Sequence, residues 1–223
     1  MTELLATLEA QVAPEHTALL VIDMQNDFCA EGGYIDKVAK LDVTGCPPVA
    51  EAINRAVQAA RAAGVMIVWI RANYEPRYLA DPALMRNMAR GVADSVCCAG
   101  DSWGYDFYRV EPRGGEFFVE KHRYDAFFGT RLDDILRNHG IRTIVCTGVV
   151  TNVCVESTLR SGFFRGYYVV VPEDCVGGSA RDLHDATLKN VRIFYGIVTD
   201  STALGSVWTA AAGTRAAPLR KAG

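Results

Sequence analysis

The stretch Ile144-Val145-Cys146-Thr147-Gly148-Val149-Val150-Thr151-Asn152-Val153-Cys154-Val155-Glu156 decides how this chain folds. Its first half is a run of apolar and β-branched residues without alternation, the pattern of a strand buried on both faces. A glycine-containing turn follows, and the spacing from Asn152 to Arg165 predicts a helix stopped by Gly166. Strand, turn and helix in that order form the repeating unit of an open α/β sheet. The turn lies beyond the carboxyl end of the strand, where such sheets bind ligands.

The same punctuation recurs on either side. Short apolar runs predict strands at Ala18–Ile22, Met66–Ile70, Glu116–Val119, Thr143–Thr147, Tyr168–Val171 and Arg192–Tyr195. Between the first two, Val49, Ala52, Ile53, Ala56, Val57, Ala60 and Ala63 recur at steps of three and four, with Pro47–Pro48 before them and Gly64 after. That is a helix with its start and stop marked. Further helices are expected around Leu132–Leu136 and over Ala180–Asn190. The expectation is an α/β fold: a doubly wound, mostly parallel, six-stranded Rossmann-like sheet with helices on both faces. It is read as a single domain over residues 1–223, with its core at about 17–208. The segment Ala72–Pro112 is broken by Pro76, Pro82, Gly91, Gly100 and Gly104, and a connection that long is expected to be functional or lid-like. The tail after Ala210 is expected to fray.

Composition narrows the function. The chain has 223 residues, 50% hydrophobic and 22% charged, with net charge -3, enough to build a sizeable core and too apolar for a disordered chain. The 23 basic and 26 acidic residues are interspersed, so no basic stripe points to nucleic acid. The longest apolar runs are far below the roughly 20 residues a membrane helix needs, and the first residues lack a secretory pattern, which reads as cytoplasmic. The seven cysteines, Cys29, Cys46, Cys97, Cys98, Cys146, Cys154 and Cys175, are odd in number and lack C-x-x-C spacing, against a disulfide framework or a zinc ribbon.

Three predicted strand ends carry chemistry. The first run leads straight into Asp23, the third ends in Glu120-Lys121, and the fourth leads into Cys154 in the first turn of a helix. A thiol at a helix start faces unpaired amides and the positive dipole end, which predicts a lowered pKa and a reactive thiolate. Other constellations are missing. His16, His122, His139 and His184 have no metal-binding spacing, and neither G-x-G-x-x-G nor G-x-x-x-x-G-K-[ST] occurs. A Cys–His pair through His122 conflicts with Lys121, because adjacent residues of an extended segment point to opposite sides.

Leu20-Val21-Ile22-Asp23-Met24-Gln25-Asn26-Asp27-Phe28, Glu120-Lys121 and Thr147-Gly148-Val149-Val150-Thr151-Asn152-Val153-Cys154-Val155 together resemble the isochorismatase-like cysteine hydrolases, over about Thr17 to Ser201. Lys121-His122-Arg123-Tyr124-Asp125-Ala126-Phe127-Phe128-Gly129-Thr130 looks most like the ureidoacrylate amidohydrolase subgroup. Arg71 with Pro76 and Leu79-Ala80-Asp81 is similar to biuret hydrolases. The resemblance implies an amidohydrolase with an Asp23–Lys121–Cys154 triad, a non-proline cis peptide at Val149–Val150 and a thioester intermediate. It also implies an oxyanion hole from the amides of Val150 and Cys154, and a dimer or tetramer. The family's nicotinamidase metal motif is absent, so no metal or cofactor is carried over. Phe28, Arg71, Tyr74, Trp103 and Tyr124 are candidate substrate contacts, with Arg71 able to grip a carboxylate. Two rivals are a non-catalytic sensor that keeps the fold and a nicotinamide-dependent reductase, which the missing glycine loop disfavours.

Overall fold

The structure, a computed structural model, describes residues 4–216. Seven strands form one parallel sheet: β1 (Thr17–Ile22), β2 (Met66–Ala72), β3 (Phe117–Lys121), β4 (Thr143–Val149), β5 (Tyr168–Pro172), β6 (Val176–Gly177) and β7 (Gly196–Thr199). The order is β3-β2-β1-β4-β5-β7, with the two-residue β6 pairing with β4. The order reverses between β1 and β4, so the loops leaving these two neighbours diverge and open a crevice at their carboxyl ends. All six residues of β1 and all seven of β4 are buried, as their unbroken apolar runs require.

The principal helices are α1 (Cys46–Ala63), α2 (Asp81–Ala89), α3 (Leu132–Asn138), α4 (Glu156–Phe164), α5 (Arg181–Asn190) and α6 (Ser201–Ala216). One face of the sheet, with Leu19, Val21 and Trp69, packs on Ile53, Ala56 and Ala60 of α1 and Leu204 and Trp208 of α6. The other, with Leu20, Ile22, Ile70 and Ile144, packs on Leu132 and Leu136 of α3, Leu159 of α4 and Leu188 of α5. The α1 stop works as its sequence reads: Gly64 turns left-handed at φ 75°, and its amide closes on the carbonyls of Ala60 and Arg61. By contrast, α2 buries none of its residues.

Three local expectations need correction. Residues Val191–Tyr195 are a wide π-helical turn continuing α5, and the last strand is Gly196–Thr199. The β-branched and aromatic composition of that turn mimics a strand, but Ile193 and Phe194 are 57% and 64% exposed. Helix α4 begins at Glu156, because Thr151–Val155 also form a π turn. Finally, α6 runs on to Ala216, beyond the predicted fraying point at Ala210; residues 217–223 lie outside the described part.

No helix among the described residues is long and apolar enough to cross a membrane.

Candidate active site

Asp23 follows directly on β1. Its backbone turns left-handed at φ 54°, and its amide bonds the carbonyl of Ile70 on β2 at 2.9 Å, so the side chain is fixed at the sheet edge. Lys121 ends β3, two strands away. Its register partner on β2 is Ala72, whose side chain stops at Cβ and leaves a path across the sheet edge. Nζ reaches Asp23 Oδ2 at 2.7 Å, with both side chains essentially inaccessible to solvent. The same Nζ donates to Tyr74 Oη at 3.1 Å and to the carbonyl of Arg123 at 3.0 Å. The ammonium thus has two hydrogen-bond acceptors and one ion-pair partner.

Cys154 sits in the π turn after β4. The glycine within that strand end has a steric reason: Gly148 stands at φ 111°, and a Cβ there would lie 1.9 Å from the carbonyl oxygen of Ile22. Only glycine lets β4 pass this close to the residue that precedes Asp23. The Val149–Val150 peptide is cis. Beyond it, the amides of Val153 and Val155 both close on the carbonyl of Val150, at 3.0 and 3.3 Å. Cys154 itself is 4% exposed, and its Sγ lies 3.7 Å from Tyr74 Oη.

The electrostatics follow from three ionisable groups sharing a dry site. Burial works against the Lys121 ammonium, yet the charges of Asp23 and Cys154 outweigh it and hold the lysine above its ordinary pKa. Burial pushes the Asp23 carboxyl up, against the pull of Lys121. Neither Asp23 oxygen completes a well-directed hydrogen bond, so the 2.7 Å approach of Lys121 is an ion pair and the carboxylate retains capacity to accept a proton. Burial also pushes the Cys154 thiol up to about 12; Lys121 opposes this and the Asp23 carboxylate reinforces it. The expected lowered pKa is therefore overturned. A helix start favours thiolate when its amides face the sulfur in partly open surroundings. Here two amides of the turn are committed to Val150, the thiol is buried, and a carboxylate lies beside it.

The five rim candidates divide. Phe28 packs edge-on against Tyr74 at 6.3 Å, and Tyr124 does so at 6.2 Å, so both ring the tyrosine whose hydroxyl reaches Cys154. The Arg71 guanidinium instead lies over the rings of Tyr105 and Phe107, at 4.2 and 5.0 Å. Trp103 is 54% exposed, and its carbonyl accepts from the side-chain Nδ2 of Asn26. The structure brings neither into the cluster. His122 is also turned aside, stacked on Tyr78 at 4.0 Å with Nδ1 at the carbonyl of Asn73.

Sequence reasoning missed the residues that hold the site together. Gln25, fully buried, receives the Ala72 amide at 2.7 Å and donates to the carbonyls of Ala72 and Tyr105, clamping the ends of β1 and β2 to the long connection. Asp27 accepts the amides of Tyr34 and Cys98, at 3.0 and 2.6 Å. Its carboxylate lies within 4.8 Å of the thiols of Cys97 and Cys98, but those two amides already give it a staple's role. His184 on α5 meets the hydroxyl of Thr151 at 2.9 Å behind the nucleophile turn. The polar residues of the Leu20–Phe28 motif were a visible signal for the first two; nothing local marked the third.

Known proteins resemble this chain in sequence and in fold. The chain is 40% identical over 201 residues to the ureidoacrylate amidohydrolase RutB of Klebsiella pneumoniae subsp. pneumoniae, covering 84% of this chain and 85% of that one. It is 39% identical over 213 residues to the protein of the same name from an Enterobacter species, covering 89% and 92%. Among solved structures, a cysteine hydrolase from Pseudomonas syringae pv. phaseolicola superposes with a TM-score of 0.76 at 28% identity, covering 95% of this chain and all of that one. The isochorismatase domain model matches residues 17–203, which span β1 to the first turn of α6 and include Asp23, Lys121 and Cys154. With that match over most of its length, the chain belongs to the isochorismatase family.

Proposed function

We propose that this protein is a cysteine amidohydrolase that cleaves a C–N bond of a small ureido compound of the ureidoacrylate type, with the whole chain acting as one catalytic domain. The observation that carries the reading is the buried contact of Lys121 with Asp23, beside a thiol at the sheet's switch point. A purely structural ion pair in such a dry place is an expensive device, because desolvation offsets much of the attraction. The named relatives, ureidoacrylate amidohydrolases, support the substrate class.

The chemistry follows from the proton positions. Cys154 enters as a thiol. As Sγ bonds to the ureido carbonyl carbon, its proton passes to Asp23 and the carbonyl oxygen becomes an oxyanion. Lys121 keeps Asp23 ionised until that moment and balances charge as it moves. The amides of Val150 and Cys154 donate to the oxyanion; losing one such donor typically costs about 10²–10³ in rate. Collapse breaks the C–N bond, and the nitrogen leaves as an amine with the proton from Asp23, leaving a carbamoyl thioester on Cys154. Water then gives a proton to Asp23 as its oxygen attacks the thioester. The departing sulfur recovers that proton. Phe28, Tyr74 and Tyr124 form the wall around the reacting carbonyl.

The test is ammonia and amine release from ureidoacrylate, biuret and carbamoylsarcosine by the protein and its Cys154→Ala variant. Ureidoacrylate turnover that disappears in Cys154→Ala, with the fold retained by circular dichroism, is the expected result; substantial turnover by Cys154→Ala would sink the proposal. The seven cysteines are all free and buried, which fits a reducing cytoplasm. Phe163, Phe164, Ile193 and Phe194 form an exposed apolar group, from 41% to 73% exposed, which supports assembly into a homo-oligomer. A monomeric mass by light scattering would remove that part of the reading.

A further inference from the structure

An acrylate-type substrate carries a carboxylate at the end opposite the scissile bond, so the site should present a cation one substrate length from Cys154. The expected candidate, Arg71, lies over Tyr105 and Phe107. Arg77 is paired with Glu75 at 2.8 Å. Arg123 spends one nitrogen on the carbonyls of Tyr78 and His122, bracing the segment whose backbone holds Lys121. Lys121 is committed to Asp23.

Arg86, on α2, differs from all of these. Its Nη1 donates to the hydroxyl of Tyr124, and its guanidinium carbon sits 5.4 Å from that ring's centre. Tyr124 packs on Tyr74, whose hydroxyl contacts Cys154 Sγ, so a single layer of tyrosine separates this guanidinium from the residue that touches the nucleophile. Among the described residues Arg86 has no carboxylate partner, while its fork of donors can take one in a bidentate grip. Because α2 buries none of its residues, its side chains owe little to core packing.

We infer that Arg86 binds the carboxylate of an anionic ureido acid whose carbamoyl carbon lies at Cys154, and so sets the preference for charged over neutral ureido substrates. This rests on the amidohydrolase reading above. In the Cys154→Ala background, calorimetry with 3-ureidopropionate and with propylurea, which lacks the carboxylate, separates recognition of charge from recognition of shape. Adding Arg86→Met should weaken 3-ureidopropionate about 10- to 100-fold and leave propylurea unchanged. Arg86→Lys should recover part of the loss. With Cys154 present, Arg86→Met should raise KM for ureidoacrylate by a similar factor with little change in kcat. Equal weakening of both ligands would reveal a structural role through Tyr124, and no weakening of either would remove the role altogether; each overturns the inference. If the unaltered protein hydrolyses ureidoacrylate and Arg86→Met behaves identically, the Arg86 assignment alone falls. If the unaltered protein neither binds nor hydrolyses ureido acids, both readings fall together.

Discussion

Replacing Asp23 by Asn should make Cys154 more reactive toward an alkylating reagent and less able to cleave an amide. The thiol, pushed up to about 12, is ionised in only about one part in 10⁵ at pH 7. Burial is the main cause, and the Asp23 charge adds to it while Lys121 opposes. A unit charge about 4 Å away acts with about 4 kcal/mol at an effective dielectric near 20, and a third of that is a tenfold change in ionisation. Asn keeps the size of Asp and removes the charge. Alkylation of Cys154 by iodoacetamide at pH 7, followed on its peptide by mass spectrometry, should therefore accelerate at least about tenfold. Amide turnover should fall by about 10²–10⁴, because the proton acceptor and donor for both half-reactions is gone. The substitution leaves the Lys121 ammonium with neutral acceptors, Tyr74, the Arg123 carbonyl and the new amide oxygen, and an unpaired buried charge costs about 3–5 kcal/mol, so thermal unfolding must show the variant folded at the assay temperature. Alkylation that declined in step with turnover would refute the reasoning, since the carboxylate would then be promoting ionisation of the resting thiol.

Two further outcomes follow from the same site. A folded-state thiol pKa raised from 9.0 to about 12 contributes stability that is fully present below pH 9 and is lost as pH rises toward 12, because the folded state holds the proton more tightly than the unfolded chain. Between pH 8.5 and 11.5 the protein should lose about 3 kcal/mol relative to Cys154→Ala, and paired urea titrations at those two values measure it; parallel losses would contradict the buried thiol. Gly148→Ala should abolish soluble, folded protein, since its Cβ would need to share space with the Ile22 carbonyl at a backbone angle that alanine disfavours. A Gly148→Ala protein with unaltered melting temperature would show that the β1–β4 contact can relax.

The parts of this molecule that were legible in its sequence are those where local chemistry and global position coincide. The runs Thr17–Ile22 and Thr143–Val149 are buried on both faces, so nearly all their residues are apolar, with the hydroxyls of Thr17 and Thr147 spent on backbone carbonyls, and the pattern announced itself. Asp23 directly follows one such run and Cys154 lies in the turn after the other, so their meeting required only that β1 and β4 be neighbours. Lys121 was harder, because it must cross the width of β2, and the small Ala72 that leaves its path open carries no motif of its own. Val191–Tyr195 misled because β-branched and aromatic residues suit a strand and also a wide helical turn with one apolar side. The arginine errors have the same origin on a larger scale. Arg71 stands next to a strand end in sequence, but where a side chain goes after β2 depends on how residues 72–112 fold back. That path is set by Gln25 and Asp27, whose partners Tyr105 and Cys98 lie 80 and 71 positions away. The charge state of Cys154 was misread for a different reason. Helix position fixes the sign of a dipole, whereas desolvation depends on what closes over the sulfur, and that includes the tyrosine delivered by the connection whose course the sequence left open. The chemistry of this site is therefore divided between two sources. The sheet supplies the reacting groups, and the long connection decides how dry they are and which cation stands at their mouth.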